Sequence, residues 1–280
     1  MTAATIDLAL ALAVLVVVPL ALRLDGRRRL QPGHLLAVVG AGAVAALSLL
    51  VDAGAVAAGL AIPWLGAVAA LALRHAFPFD LRALLRDALV VLSSAYLVVG
   101  AGWFVLSRYA ARLLDFDDTI VELTAVHFHY AGFVAPVLVH RLAVRLRRDG
   151  RSDAAARAAL VAVLVATPLT AAGITFEPAL GAAGAALFAA GLTVASVLTL
   201  RWVVPPAGAA TRALLAVSSL SVIASMTLAV AYALGHWLGT AAPSLPVMVR
   251  THGVLNAAGF ALAGVLGWLR EERATPPAPT

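Results

Sequence analysis

The chain contains no cysteine and no lysine, and only 12% of its 280 residues are charged. Without cysteine there is no disulfide and no thiolate metal site, so His, Glu, Asp and Tyr are the strong metal ligands that remain. All 20 basic residues are arginine in an Ala- and Val-rich chain, which reflects biased composition more simply than phosphate recognition. The scarcity of charge, with 62% hydrophobic residues and a mean hydropathy of +0.98, excludes a soluble two-layer domain, because too little polar surface would be left to face water. What is there is an integral membrane protein whose first partner is the lipid bilayer. The net charge of +6 calls for no nucleic acid, since the arginines lie where membrane topology wants them.

Apolar runs separated by turn residues predict an all-α polytopic bundle of about nine spans. They cover about Ala4 to Leu22, His34 to Val51, Ala55 to Leu73, Ala88 to Ser107 and Ile120 to Val144, then Ala158 to Ile174, Leu180 to Leu200, Ala213 to Leu238 and Val247 to Leu269. The first run has Asp7 and no basic residue before it, while Arg23, Arg27, Arg28 and Arg29 follow, so it reads as an uncleaved helix rather than a secretory signal. Arg74 to Asp87, with Pro78, Asp80, Arg82 and Arg86, reads as a short amphipathic connection too polar to span. Residues 1–269 read as a single transmembrane domain, and 270–280 as a polar, Pro-rich cytoplasmic tail without fixed structure.

Arginine placement tests the span count. With the N-terminus outside, 17 arginines fall in the loops after helices 1, 3, 5 and 7, at the adjoining helix ends or in the C-terminal tail, all cytoplasmic. Arg108, Arg112 and Arg250 are the exceptions. The expected home is a bacterial cytoplasmic membrane, crossed many times. Four helices lie on each side of the fifth with opposite orientation, which matches inverted-repeat transporters in topology only.

The densest ionisable cluster in any apolar span is Glu122-Leu-Thr-Ala-Val-His127-Phe-His129-Tyr130. Ionisable groups in hydrocarbon cost on the order of 2 to 3 kcal/mol each even on lenient scales, so such a cluster is a functional hypothesis. Helix 5 descends from outside, which puts Glu122 at the outer boundary and the two His roughly 7 to 11 Å deeper. On a regular α-helix Glu122 and His129 share a face, whereas His127 and His129 stand about 200° apart. Helix 9 also descends from outside, bringing Arg250, His252 and Asn256 to similar depth, and Asp52, Glu177 and His236 lie at outer helix ends. Three alternative expectations follow for these groups. The site Glu122, His127, His129, Tyr130, Glu177, Arg250, His252 and Asn256 handles a small solute or protons; or His127, His129, His252 and Glu122 ligate a metal ion; or the groups form an interhelical packing network, Arg250 pairing with Glu122 or Glu177. Finally, Trp64, Trp103, Trp237 and Trp268 read as interfacial belt residues, and Ser218, Ser219, Ser221, Ser225 and Thr227 as glue between helices.

Thr124-Ala-Val-His127-Phe-His129-Tyr130-Ala-Gly-Phe133, with Arg250-x-His252-Gly253-x-x-Asn256-Ala-x-Gly-Phe260, resembles the YndJ-like family of bacterial multi-spanning membrane proteins. The resemblance implies a membrane location and a site on helices 5 and 9; the family is often labelled a transporter, with no substrate attached. His-Phe-His-Tyr is also locally similar to a string in cytochrome oxidase subunit I, where two His of one helix ligate two haems, which implies haem as an alternative cofactor.

Overall fold

The structure, a computed structural model, describes residues 2–24, 31–76, 81–111 and 116–274, with the backbone alone at 76 and 81–89. Arg27 to Arg29, Pro78, Asp80, Arg112, Asp115 and residues 275–280 lie outside the described residues. Among those described the secondary structure is helical throughout, as hydrocarbon requires of a chain that must satisfy its own backbone donors and acceptors. Among the described residues nine helices are long and apolar enough to cross a membrane: α1 Thr2–Leu24, α2 Pro32–Leu50, α3 Ala55–His75, α4 Val90–Tyr109, α5 Asp118–Arg148, α6 Ala154–Thr175, α7 Pro178–Val203, α8 Ala209–Leu238 and α9 Leu245–Ala274. The helical backbone leading into α4 begins at Leu81, so the expected amphipathic connection is, from there on, the same helix.

Local chemistry sets the helix ends. Pro32 and Pro178 occupy first-turn positions where a missing N–H costs nothing. The Asp117 carboxylate caps α5 by accepting from the Ile120 N–H at 2.9 Å. Gly239, with φ +64°, ends α8 in the left-handed conformation that glycine tolerates best.

The chain divides into two compact units, residues up to Pro136 and residues from Val137. In the first, Leu10, Val14, Trp64, Phe104 and Phe133 form the core; in the second, Leu142, Leu146, Leu160, Leu164 and Leu192 do. Small residues let backbones approach. Gly42 lies on the Val14 carbonyl, and Gly264 on Ser218, where a Cβ would meet the Ser218 Oγ at 2.7 Å.

Several spans widen into π-helical turns: Ala13–Val17, Phe128–Val134, Thr199–Val203, Val249–Gly253 and Leu255–Leu262. Both motif stretches contain them. Such turns add a residue per turn, shift the phase of everything beyond, and concentrate at functional positions.

The arginine-rich end of the second unit is tied by acids. Glu271 is only 4% exposed and pairs with both Arg145 and Arg148, the latter at 3.0 Å. Arg145 also holds Asp149 at 2.8 Å, and Arg147 holds Asp153 at 3.1 Å. α9 thus continues to Ala274, five residues past its expected end at Leu269, because Glu271 has partners 123 and 126 residues away. Glu271→Ala should cost about 1 to 2 kcal/mol, less than a fully buried pair, since Arg145 keeps Asp149 and Arg148 is a third exposed. A lower melting temperature in detergent, partly restored by Glu271→Asp, is the expected result.

Candidate functional site

At one end of the first unit α1 and α5 begin while α2 and α4 end, and polar groups of α1, α4 and α5 gather there beside the α2–α3 turn. Arg108, in the last turn of α4, is only 7% exposed. Its Nη2 donates to the Val51 carbonyl at 2.7 Å, and the Gly54 N–H donates back to the Arg108 carbonyl at 2.7 Å, tying the α2–α3 turn to both the side chain and the backbone of Arg108. The buried Nε has no hydrogen-bond partner among the described residues. Asp7 of α1 and Glu122 of α5 lie within electrostatic reach of Arg108 and of each other, both half-buried. Two carboxylates and one guanidinium from three helices thus share the end of an otherwise apolar bundle, with an N–H left over.

Deeper on α5, His129 is fully buried. The Trp64 Nε1–H of α3 donates to His129 Nε2 at 2.9 Å, and His129 Nδ1 meets the Ala125 carbonyl at 2.7 Å. An indole N–H can only donate and a carbonyl can only accept, so the proton is assigned to Nδ1 and the ring is a neutral bridge with both nitrogens occupied. The two rings are nearly parallel, at 18° and 6.0 Å between centroids. α4 closes on them through Gly100, where a Cβ would stand 3.0 Å from His129 Nδ1. Tyr130 turns to α1 and donates to the Ala9 carbonyl at 2.9 Å. His127 is half-buried and meets Phe128 edge-on.

In the second unit Ser225 of α8 joins the α9 motif. His252 Nδ1 lies 3.0 Å from the Ser225 carbonyl and 2.9 Å from its Oγ. The Asn256 amide donates to the Ser225 Oγ and to the His252 carbonyl, the latter at 2.9 Å. Ser218 donates to the Phe260 carbonyl at 2.8 Å. α9 is π-helical here, and these side chains serve backbone carbonyls inside the widened turns. Ser218 and Ser225 thus bond across helices as expected, whereas Thr227 is exposed and donates to the Ile223 carbonyl of its own helix.

Several expected members stand apart. Arg250 is exposed and its Nε donates to Pro246 of its own helix at 3.1 Å, not to Glu177. Glu177 is also exposed and accepts from the Ala179 N–H at the start of α7. Asp52 is exposed, and exposed His236 bonds to the Tyr232 carbonyl one turn earlier. Among the described residues no three His, Asp or Glu side chains converge as a metal site would require. Trp64 is wholly buried and Trp268 nearly so, which removes both from the interfacial belt. Asp7, Arg108 and Trp64 were not among the expected site residues. The first two carried a signal: Asp7 is the lone acid of the first span, and Arg108 broke the arginine asymmetry.

Comparison with known proteins agrees with the motifs. A model of the YndJ-like protein family matches residues 8–260. The uncharacterized membrane protein YndJ of Bacillus subtilis (strain 168) is 25% identical over 192 residues, 67% of this chain and 34% of that protein. The chain therefore spans about a third of the length of this curated relative. No solved structure matches significantly. A family match that takes in both motif stretches, on a chain with nine apolar spans among its described residues, makes this a multi-pass membrane protein that belongs to the YndJ-like family.

Proposed function

We propose that the chain is a permease-like protein for a small polar solute or ion, with protons as the simplest candidate, and that Asp7, Arg108 and Glu122 form its site. The observation that carries this reading is the buried Arg108 Nε, which meets no hydrogen-bond partner among the described residues, with Asp7 and Glu122 of two other apolar spans in electrostatic reach. Packing alone would favour saturating that N–H, because an unmet buried donor costs about 1 to 3 kcal/mol. A site that must accept and release a polar ligand keeps such a group unmet. In this reading the N-terminus is outside and the C-terminus cytoplasmic, so the site faces the outer side of a bacterial cytoplasmic membrane.

His129 supports a second role within the same frame. With Trp64 and Ala125 occupying both nitrogens it braces α3 against α5 below the site, a packing duty rather than proton relay. His252 and Asn256 are read likewise, each engaged with Ser225.

Proteoliposomes carrying an internal pH dye and an imposed potential test the proposal. The wild-type protein should move protons faster than protein-free vesicles, and Glu122→Gln should cut that rate tenfold or more. Equal rates with and without protein, or an unaffected Glu122→Gln variant, would overturn it.

A further inference from the structure

A second feature lies in the other unit and is independent of any permease reading. Trp202 sits at the last turn of α7, one residue before the span ends at Val203. The Cζ of Arg151, from the α5–α6 loop, stands 3.7 Å from the centre of its indole ring, and the Cζ of Arg201 stands 4.7 Å away. Two like charges are thereby held on one side chain.

The acids nearby are committed. Asp149 pairs with Arg145 and Arg148, and Asp153 with Arg147 and Arg157. Among the described residues neither Arg151 nor Arg201 has a carboxylate partner, and both are exposed. Stacking on an indole occupies the face of a guanidinium and leaves its in-plane N–H groups free. Those edges match the oxygens of a phosphate, which can accept two parallel hydrogen bonds and would also relieve the repulsion between the two cations. Free phosphate and a lipid headgroup share this chemistry. Position decides between them: the end of a span is headgroup depth, where Trp and Arg settle, and Val194 and Val197 earlier on α7 are exposed, as a lipid-facing surface would have them.

We propose that Arg151, Arg201 and Trp202 form a binding site for the phosphodiester of an anionic phospholipid. Arg212, whose Nη2 donates to the Pro205 and Ala207 carbonyls, holds the loop that follows Trp202. It serves as a control charge outside the site, as does Arg157, which pairs with Asp153.

The full chain in nanodiscs of phosphatidylcholine, with and without phosphatidylglycerol, tests this. Phosphatidylglycerol should raise the melting temperature by roughly 3 °C or more, as binding to the folded state alone does. Arg151→Gln with Arg201→Gln should remove most of that shift, as should Trp202→Leu, which keeps both charges and loses their platform. Arg157→Gln with Arg212→Gln should retain it. Inorganic phosphate added to phosphatidylcholine discs should give no shift. The proposal fails if wild type shows no lipid shift, if either site variant keeps it, if the control pair loses it equally, or if phosphate alone reproduces it.

Discussion

Gly173→Val is expected to leave almost no folded protein, and Gly173→Ala to lower stability by about 4 kcal/mol or more, the range reserved for clashes that a structure cannot relax. A Cβ at Gly173 of α6 would overlap the backbone nitrogen and Cα of Gly181 in α7 and stand 2.8 Å from the Leu180 carbonyl carbon. Backbone cannot turn aside as a side chain can. The approach continues along the hairpin, for a Cβ at Gly184 would meet the Thr170 Oγ1 at 2.6 Å, and one at Gly191 the Ala159 carbonyl at 3.0 Å. In lipid, where apolar contact between helices gains little over contact with acyl chains, such close packing is a main source of association. Gly59→Ala and Gly66→Ala in α3 are the matched controls. Nothing lies within 4 Å of either added methyl, so each should be neutral or stabilise by about 0.5 to 1 kcal/mol through helix propensity. Yield of monodisperse protein and melting temperature in detergent decide the matter; a Gly173→Ala protein that melts with wild type would mean that α6 and α7 do not pack in this way.

The short link was legible, since the expected spans end at Ile174 and resume at Leu180, but not the closeness of the two helices. Span positions follow from hydropathy and from caps that act within a few residues, so the expected Ala213 to Leu238 and the observed Ala209–Leu238 end at the same residue. Nothing comparable marks a π turn. The expectation that His127 and His129 stand about 200° apart assumed a regular helix, and the helix widens from Phe128 onward. Trp64 looked interfacial because its partner, His129, is 65 residues away, and a sequence does not display a hydrogen bond over that distance. The same blindness made Glu271 look like the start of a polar tail. The candidate site was half legible: Glu122 was expected from its place in an apolar span, while its neighbours Asp7 and Arg108 needed the fold to bring three helix ends together. Arg250 was misjudged for a different reason. A long side chain near a helix end can lie along its own helix and reach polar surroundings, so a charged residue in an apolar stretch need not be buried.

That contrast gives the second large effect. Arg108→Ala should destabilise the protein by roughly 3 to 4 kcal/mol, whereas Arg250→Ala should change stability by less than about 0.5 kcal/mol. Arg108 is buried, holds the Val51 carbonyl, and offsets the charge of Asp7 and Glu122; its loss leaves two half-buried carboxylates in electrostatic reach of each other and a turn unanchored. Arg250 is exposed and holds only a carbonyl of its own first turn. Part of the Arg108 loss is electrostatic and part comes from the missing hydrogen bond, and the two separate by combination. Adding Asp7→Asn and Glu122→Gln to Arg108→Ala removes the unbalanced charge and should recover about half of the lost stability, while the hydrogen bond to Val51 stays broken. The same two carboxylate changes made in the presence of Arg108 should instead destabilise, because they strand the guanidinium. Melting temperatures of the four proteins form a double-mutant cycle. Additive effects would show that Arg108 serves the α2–α3 turn alone and has no energetic part in an acid–guanidinium site.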